Sequence, residues 1–525
     1  MTRFVTIEEA VNLIKDNDTV GIGGFCGFGA PDSMLRGIEQ KYNETKHPAG
    51  LHIVTPAAAG DLKEDGWGVS ALRADGLIDS IFTSIVKLPP AISQAVNDNK
   101  VAGYFVPLSL FGHLFRATAA GEPGYLSHVG LNTFVDPREE GCLMNDRARE
   151  SGFEVVRLMP IDGKDCLFFP AINIDVALLR GTYADEDGNI SCEKEAVHSE
   201  VLEMANAVHN RGGIVIFQVE KIVKKDMLDP RLVTVHKRSV DYVVLSNPGE
   251  HLQTYDDPNY RPELSGETKI PTSHVEPMKF NLRKIVARRA AMEVRANSLV
   301  NLGLGISDGI SLVLNEEGQA DKISLTIETG IMGGVPLVGL AMGAGVNPDA
   351  LYNMADTFDL YDGGGLDQAF LSSAEVDEEG NVNVSKFNGR VIGQGGFIDI
   401  SQNAKEVTFS GMFTAGKPDI SIEDGKLKIN KDGSEIKFVK KVQQVTFSGK
   451  YAREHGQKVT YVSERSVFVL TENGLMLTEI APGVDLQKDI LDKMEFKPLI
   501  AEDLKLMDER IFKDQPMGLI LKEED

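Results

Sequence analysis

Hydrophobic positions along this chain fall into two alternating patterns. Short apolar runs rich in β-branched residues have the length of buried strands: Leu51 to Val54, Ile78 to Ile85, Val101 to Val106, Val155 to Leu158, Ile214 to Val219 and Tyr242 to Leu245. Between them lie stretches with helical spacing: Ile7 to Lys15, Asp32 to Tyr42, Pro89 to Asn97 and Glu193 to Val208. Alternation of this kind predicts an α/β fold with mainly parallel sheets. Ile323 to Ile327 reads as another buried strand. It ends on Glu328 and a turn rich in glycine, Thr329 to Pro336.

The pattern breaks between residues 247 and 277. Asn247-Pro248-Gly249 and Tyr255 to Pro262 are polar and turn-rich, and Pro271 and Pro277 follow, as in a linker. The expected division is an N-terminal domain over 1–246, a linker over 247–277 and a C-terminal domain over 278–525. The two halves repeat one another. Ala177 to Ile190 matches Ala369 to Val382, pairing Leu179 with Leu371 and Gly188 with Gly380 at one offset. Their acidic-Gly-Asn pieces read as hairpin turns. Thr19 to Asp32 and Ser298 to Asp308 are both strands running into glycine loops and then helices. Two related open, mainly parallel-sheet domains fused in tandem are therefore expected, and sites in such proteins commonly lie between domains.

At 525 residues the chain is too long for one core. Its 42% apolar and 25% charged residues fit a globular protein, and a formal charge of −24 disfavours nucleic acid and anionic membrane as partners. The N-terminus has no signal-peptide pattern and no apolar run reaches the length of a bilayer span, so a cytoplasmic location is expected. Cys26, Cys142, Cys166 and Cys192 are scattered without a CxxC pair, which implies reduced thiols and no metal framework.

Glu328 is the candidate for chemistry, because catalytic groups of open α/β sheets lie at the carboxyl ends of strands; the alternative is a carboxylate that caps the next turn. Glycine loops at Gly21 to Gly29, Gly303 to Gly305, Gly363 to Gly365 and Gly393 to Gly396 permit close approach of a ligand to the backbone. The first fails the dinucleotide pattern, since Cys26 stands where the third glycine belongs. Cys26, near a helix N-terminus, could be a nucleophile but has no evident base. His198 and His209 read as surface or capping residues. Arg283, Lys284, Arg288, Arg289 and Arg295 on the helical stretch Asn281 to Ala296 read as a solvated face, with phosphate binding as the alternative. The tail from Pro482 reads as a docking or oligomer segment.

The turn Glu328-Thr329-Gly330, the run Tyr361 to Asp367, Glu379 to Phe387, Gly393 to Phe397, Gly181 to Asp185 and Ile480 to Asp485 resemble family I CoA-transferases. The likeness is greatest to the fused single-chain branch, the acetate, propionate and short-chain acyl-CoA:carboxylate CoA-transferases. It runs through nearly the whole chain, whose halves correspond to the two subunits of split relatives. The resemblance implies that Glu328 attacks an acyl-CoA thioester and carries a glutamyl-CoA thioester in a ping-pong transfer. It implies that Gly303, Leu304, Gly305, Ile306 and Ser307 contact CoA, that Gly395 and Gly396 lie near the reacting carbonyl, and that Gly24 and Phe25 contribute a substrate wall. Ser307 stands where relatives often have proline. No metal or prosthetic group is implied; CoA is a substrate held covalently midway. The implied partners are acyl-CoA and short-chain carboxylates, in a homo-oligomer, often a tetramer. The alternatives are an acyl-CoA hydrolase on the same fold, a non-catalytic sensor of CoA esters or sugar phosphates, and an NAD-dependent oxidoreductase.

Overall fold

The computed structural model describes residues 2–271, 277–303 and 305–523. They form two compact units. The first comprises residues 1–270, 327–359 and 390–396; the second comprises 271–326, 360–389 and 397–525. Segments 327–359 and 390–396 group with the first unit although they follow residues 247–277 in the chain.

The first unit is built on a parallel sheet. Its strands run in the order Arg3–Phe4, Tyr242–Leu245, Ile214–Val223, Val176–Asp185, Thr19–Ile22, Leu51–Val54, Ile78–Thr83, Ala102–Phe105. Every neighbouring pair in this order is parallel. Crossover segments, including the helices Asp32–Thr45, Pro90–Asn97, Ser109–Ala119 and Val201–Asn210, bury the apolar strands. Two expectations shift here. The predicted strand Val155 to Leu158 is Arg157–Ile161, in a separate antiparallel sheet with Gly124–Ser127 and Lys164–Pro170. The predicted helix from Glu193 begins only at Val201, because Glu195 is drawn out of helical register into a buried ion pair with Arg180 at 3.0 Å.

In the second unit, Ser324–Ile327, Leu299–Leu302, Gln368–Ser372, Glu406–Ser410 and Lys458–Val462 form a parallel run. Ser466–Thr471, Gly474–Ile480 and Leu499–Leu506 extend it. The helix Leu282–Ala291 packs in the core with Val300, Ile310, Phe370, Val462 and Val467. The C-terminal segment belongs to the same core through Met507, Ile511, Phe512, Met517 and Leu521.

The solvated face expected on Asn281 to Ala296 holds for the exposed Arg283 but is corrected for three of its cations. Lys284, Arg288 and Arg289 are buried. Lys284 pairs with Glu316 at 2.8 Å, and Arg289 makes a two-pronged contact with Glu479 at 2.8 and 2.9 Å. Arg288 donates to the carbonyls of Ile511, Lys513, Asp514 and Gln515. A guanidinium is tolerated there because it satisfies carbonyls that the irregular tail cannot pair in a sheet.

The internal repeat extends to atomic detail. Val20 pairs with Val176 and Ile22 with Leu178; Val300 pairs with Gln368 and Leu302 with Phe370. The Gly23 N–H donates to the Leu178 carbonyl at 3.0 Å, and the Gly303 N–H to the Phe370 carbonyl at 2.7 Å. Asp185 accepts from the backbone N–H groups of Asp187 and Asn189 and from the Asn189 side chain. Asp377 accepts in the same way from Glu379 and Asn381. Both turns join antiparallel strands, as the acidic-Gly-Asn pieces predict.

Candidate active site

The strand Ser324–Ile327 delivers the chain into a turn closed by the Gly330 N–H on the Ile327 carbonyl at 3.1 Å. Glu328 lies in that turn and is half-buried, while Thr326, Ile327, Thr329 and Gly330 are buried. The Thr329 hydroxyl donates to the Gly343 carbonyl, and the Tyr352 N–H to the Gly330 carbonyl at 2.8 Å. Gly330 has φ +118°, and a Cβ there would come 2.0 Å from the Tyr352 carbonyl oxygen. Only glycine fits such a turn. The backbone around the carboxylate is held, and the side chain keeps partial access to solvent.

The N-terminal glycine loop belongs to the same unit and lies beside this turn. Phe25 and Phe28 exchange backbone hydrogen bonds at 3.0 and 3.1 Å, and their rings stack with centroids 5.7 Å apart. Gly343, which accepts from Thr329, packs so tightly on Phe25 that a Cβ would come 2.7 Å from its ring. Gly24, at φ +114°, turns the chain back toward Ala30. Cys26 is buried, and burial, with the Glu328 carboxylate adding to it, pushes its thiol well above the usual range; Lys87 acts weakly the other way. A thiol held protonated is a poor nucleophile, so the Cys26 alternative loses its physical basis.

A third glycine segment joins them. The Gln394 N–H donates to the Ser84 carbonyl at 3.0 Å, and the Gln394 side chain to the Val106 carbonyl at 2.6 Å. Gly395 and Gly396 form the turn that follows. Lacing runs between the segments: Cys26 N–H to Ala57 carbonyl at 3.3 Å, Ala58 N–H to Ile85 carbonyl at 3.2 Å, and Ser84 hydroxyl to Pro56 carbonyl at 2.6 Å. The loops after Thr19–Ile22, Leu51–Val54 and Ile78–Thr83 thus meet at the carboxyl ends of parallel strands, where open α/β sheets bind ligands. Ser84 and Gly343 do not stand out in the sequence, whereas Thr329 and Gln394 lie inside motifs that carry the resemblance. Ser84 lies inside the run Ile78 to Ile85 that reads as a strand; the strand itself ends at Thr83, which leaves Ser84 in the loop.

Gly303, Gly305, Ile306 and Ser307 lie in the second unit, in the turn that opens the helix Gly309–Glu316; Leu304 lies outside the described residues. Arg283 donates to the Gly305 carbonyl at 2.6 Å. The Asp308 carboxyl is raised by burial, against the pull of Arg283. Ser307 is buried, and its hydroxyl has no hydrogen-bond partner among the described residues. His198 is half-buried in the turn before Val201–Asn210, with its pKa lowered by burial, and His209 sits in that helix's last turn; neither lies in the loops around Glu328. Among the described residues no cluster of His, Cys, Asp and Glu could hold a metal, and no helix is long and apolar enough to cross a membrane.

Two tandem α/β units with a strand-end carboxylate among glycine turns fit the class of CoA-transferring enzymes. Residues 4–246 match the family model described as Coenzyme A transferase. The chain is 43% identical over 522 residues to "Acetate CoA-transferase YdiF" of Escherichia coli strain K12, covering 99% of this chain and 97% of that protein. It is 41% identical over 524 residues to "Caffeate CoA-transferase" of Acetobacterium woodii, covering 99% of each. Crystal structures of YdiF from Escherichia coli O157:H7, 42% identical, cover 100% of this chain and 98% of theirs. They superpose with TM-scores of 0.93 for the apoenzyme and 0.92 for a thioester complex with CoA. The chain belongs to the CoA-transferase family, as a fused single-chain family I enzyme.

Proposed function

We propose that the enzyme moves coenzyme A from a short-chain acyl-CoA to a free carboxylate such as acetate, by a ping-pong route through Glu328. The observation that carries this reading is the placement of Glu328: half-buried in a turn whose flanking backbone is held, beside the Gly24–Phe28 loop. A relative captured as a thioester with CoA supports it.

In this scheme the Glu328 carboxylate attacks the thioester carbonyl, the C–S bond breaks, and CoA leaves as thiolate, giving an acyl-glutamyl anhydride. The thiolate attacks the glutamyl carbonyl and expels the first carboxylate, giving glutamyl-CoA. A second carboxylate attacks that carbonyl and releases the thiolate, which takes the new acyl group and frees Glu328. No proton moves and no redox change occurs, so no cofactor is required. A carboxylate is a weak nucleophile in water, and partial burial strips solvent from it. Each tetrahedral oxyanion needs N–H donors. Gly395 and Gly396, without side chains to block approach, suit that role, and the Gly303–Ser307 turn suits contact with CoA. The relatives named for acetate and caffeate support a role in acyl-CoA metabolism, with short-chain fatty acids as the reading preferred here; a cytoplasmic homo-oligomer is part of the proposal.

The test is intact mass after mixing with acetyl-CoA, then borohydride reduction and peptide mapping. The expected result is a CoA-sized adduct that borohydride removes, leaving a reduced side chain at Glu328, and no adduct or transfer in Glu328→Ala. Undiminished transfer by folded Glu328→Ala would remove this residue from the mechanism.

A further inference from the structure

A cavity of about 690 Å³ opens in the first unit, away from the loops around Glu328. Its floor is one face of the parallel sheet. Register pairs His52 with Ser80 and Ser80 with Ala102, and Val54 with Phe82 and Phe82 with Tyr104, so these side chains point to the same side. They lie on strands whose far ends lead into the Thr55–Gly60 and Ser84–Val86 loops of the candidate active site. Leu114, Val155 and Phe169 close the apolar walls. The volume lies within the range of small-molecule sites.

The mouth is polar, and most of its groups are already satisfied. Arg147 is ion-paired with Asp79. His52 Nδ1 lies 2.8 Å from the Ser80 hydroxyl, the Tyr104 hydroxyl donates to Ser151 at 2.7 Å, and Glu154 pairs with Arg157 at 2.5 Å. Glu150 lines the mouth and has no ion-pair partner among the described residues. The uncompensated charge is therefore one carboxylate, over an aromatic cleft in which the Tyr104 and Phe153 rings meet edge to face at 5.2 Å. An anionic ligand would meet Glu150, with the nearby Arg147 and Arg157 guanidinium groups already engaged. A cation with a flat ring would place its charge against Glu150 and its body on Phe82, Tyr104 and Phe153.

We propose that this cavity is a second, non-catalytic binding site for a small aromatic amine. The test is calorimetric titration of the full chain with tryptamine, and with indole-3-propionate, which has a similar ring and the opposite charge. The expected result is saturable 1:1 binding of tryptamine, undisturbed by saturating CoA, with no measurable binding of indole-3-propionate. Glu150 is exposed, so its variants should fold. Glu150→Gln should weaken tryptamine about two- to fivefold, as expected for a solvent-exposed ion pair, and Glu150→Lys should reverse the preference between the two ligands. Equal binding of both ligands, displacement by CoA, or unchanged affinity in Glu150→Gln would each overturn the proposal. So would failure of tryptamine to bind together with a smaller assembly in Phe153→Ser by light scattering, which would mean that a second copy of the chain covers the cleft.

Discussion

Replacing Gly330 by alanine tests whether backbone placement of Glu328 matters as argued. At φ +118° an alanine is strained, at a cost of about 1–3 kcal/mol. Its Cβ would also stand 2.0 Å from the Tyr352 carbonyl oxygen. Ordinary contact needs well over 3 Å, so the turn and the Tyr352 strand end must separate by more than about 1 Å, which loosens the 2.8 Å bond between them. A displacement of that size at a reacting group costs about 10²-fold in rate. Steady-state CoA transfer with thermal melting gives both numbers. The expectation is a folded but less stable protein with kcat reduced about a hundredfold and a smaller change in KM. Gly339→Ala, in the same loop region, is the control: its φ is +70° and its Cβ would meet nothing within 4 Å. It should lose about 1 kcal/mol of stability and keep its rate. Wild-type kcat in Gly330→Ala, or equal losses in both variants, would refute the argument that this turn places the carboxylate.

Two further outcomes follow from buried charge. Arg288→Met removes the donor to the tail carbonyls and leaves the largely buried Glu316, 3.5 Å away, without that partner, so denaturant unfolding should show a loss of about 3–5 kcal/mol; a loss within the surface-substitution range of about 0.5 kcal/mol would contradict that role. Glu200 is raised by burial, and further by Glu203, from 4.5 to about 8. A carboxyl whose folded pKa is raised stabilises fully below 4.5, and that contribution is lost as pH rises through about 8. Glu200→Gln removes this loss, so its melting temperature relative to the parent should climb across that window; a difference independent of pH would show that Glu200 does not titrate as argued.

Much of the architecture is legible locally. A β-branched run without glycine or proline, as at Leu51 to Val54 or Ile323 to Ile327, has few alternatives to a buried strand, and most strands read this way are present. Glu328 stands out because a carboxylate at such a strand's end enters a turn that only glycine can make. The tandem repeat is visible because the same turn, Asp185 to Asn189 and Asp377 to Asn381, needs the same side chains to close it.

Other features depend on partners far along the chain. The stretch bearing Lys284, Arg288 and Arg289 looks solvated because charge alone says nothing of Glu316, Glu479 or the tail carbonyls that receive it. The predicted strand at Val155 sits in a separate antiparallel sheet because pairing with Lys164–Pro170 decides its neighbours, and periodicity does not report neighbours. What the sequence by itself determined is the alternation of short strands and helices, the repeat, and the candidate carboxylate, all set by local burial and turn chemistry. Only the tertiary structure decided that residues 24–30, 327–344 and 392–396 share one compact unit, and that one sheet face floors a cavity. Those depend on register and on hydrogen bonds between loops hundreds of residues apart, which no local pattern encodes.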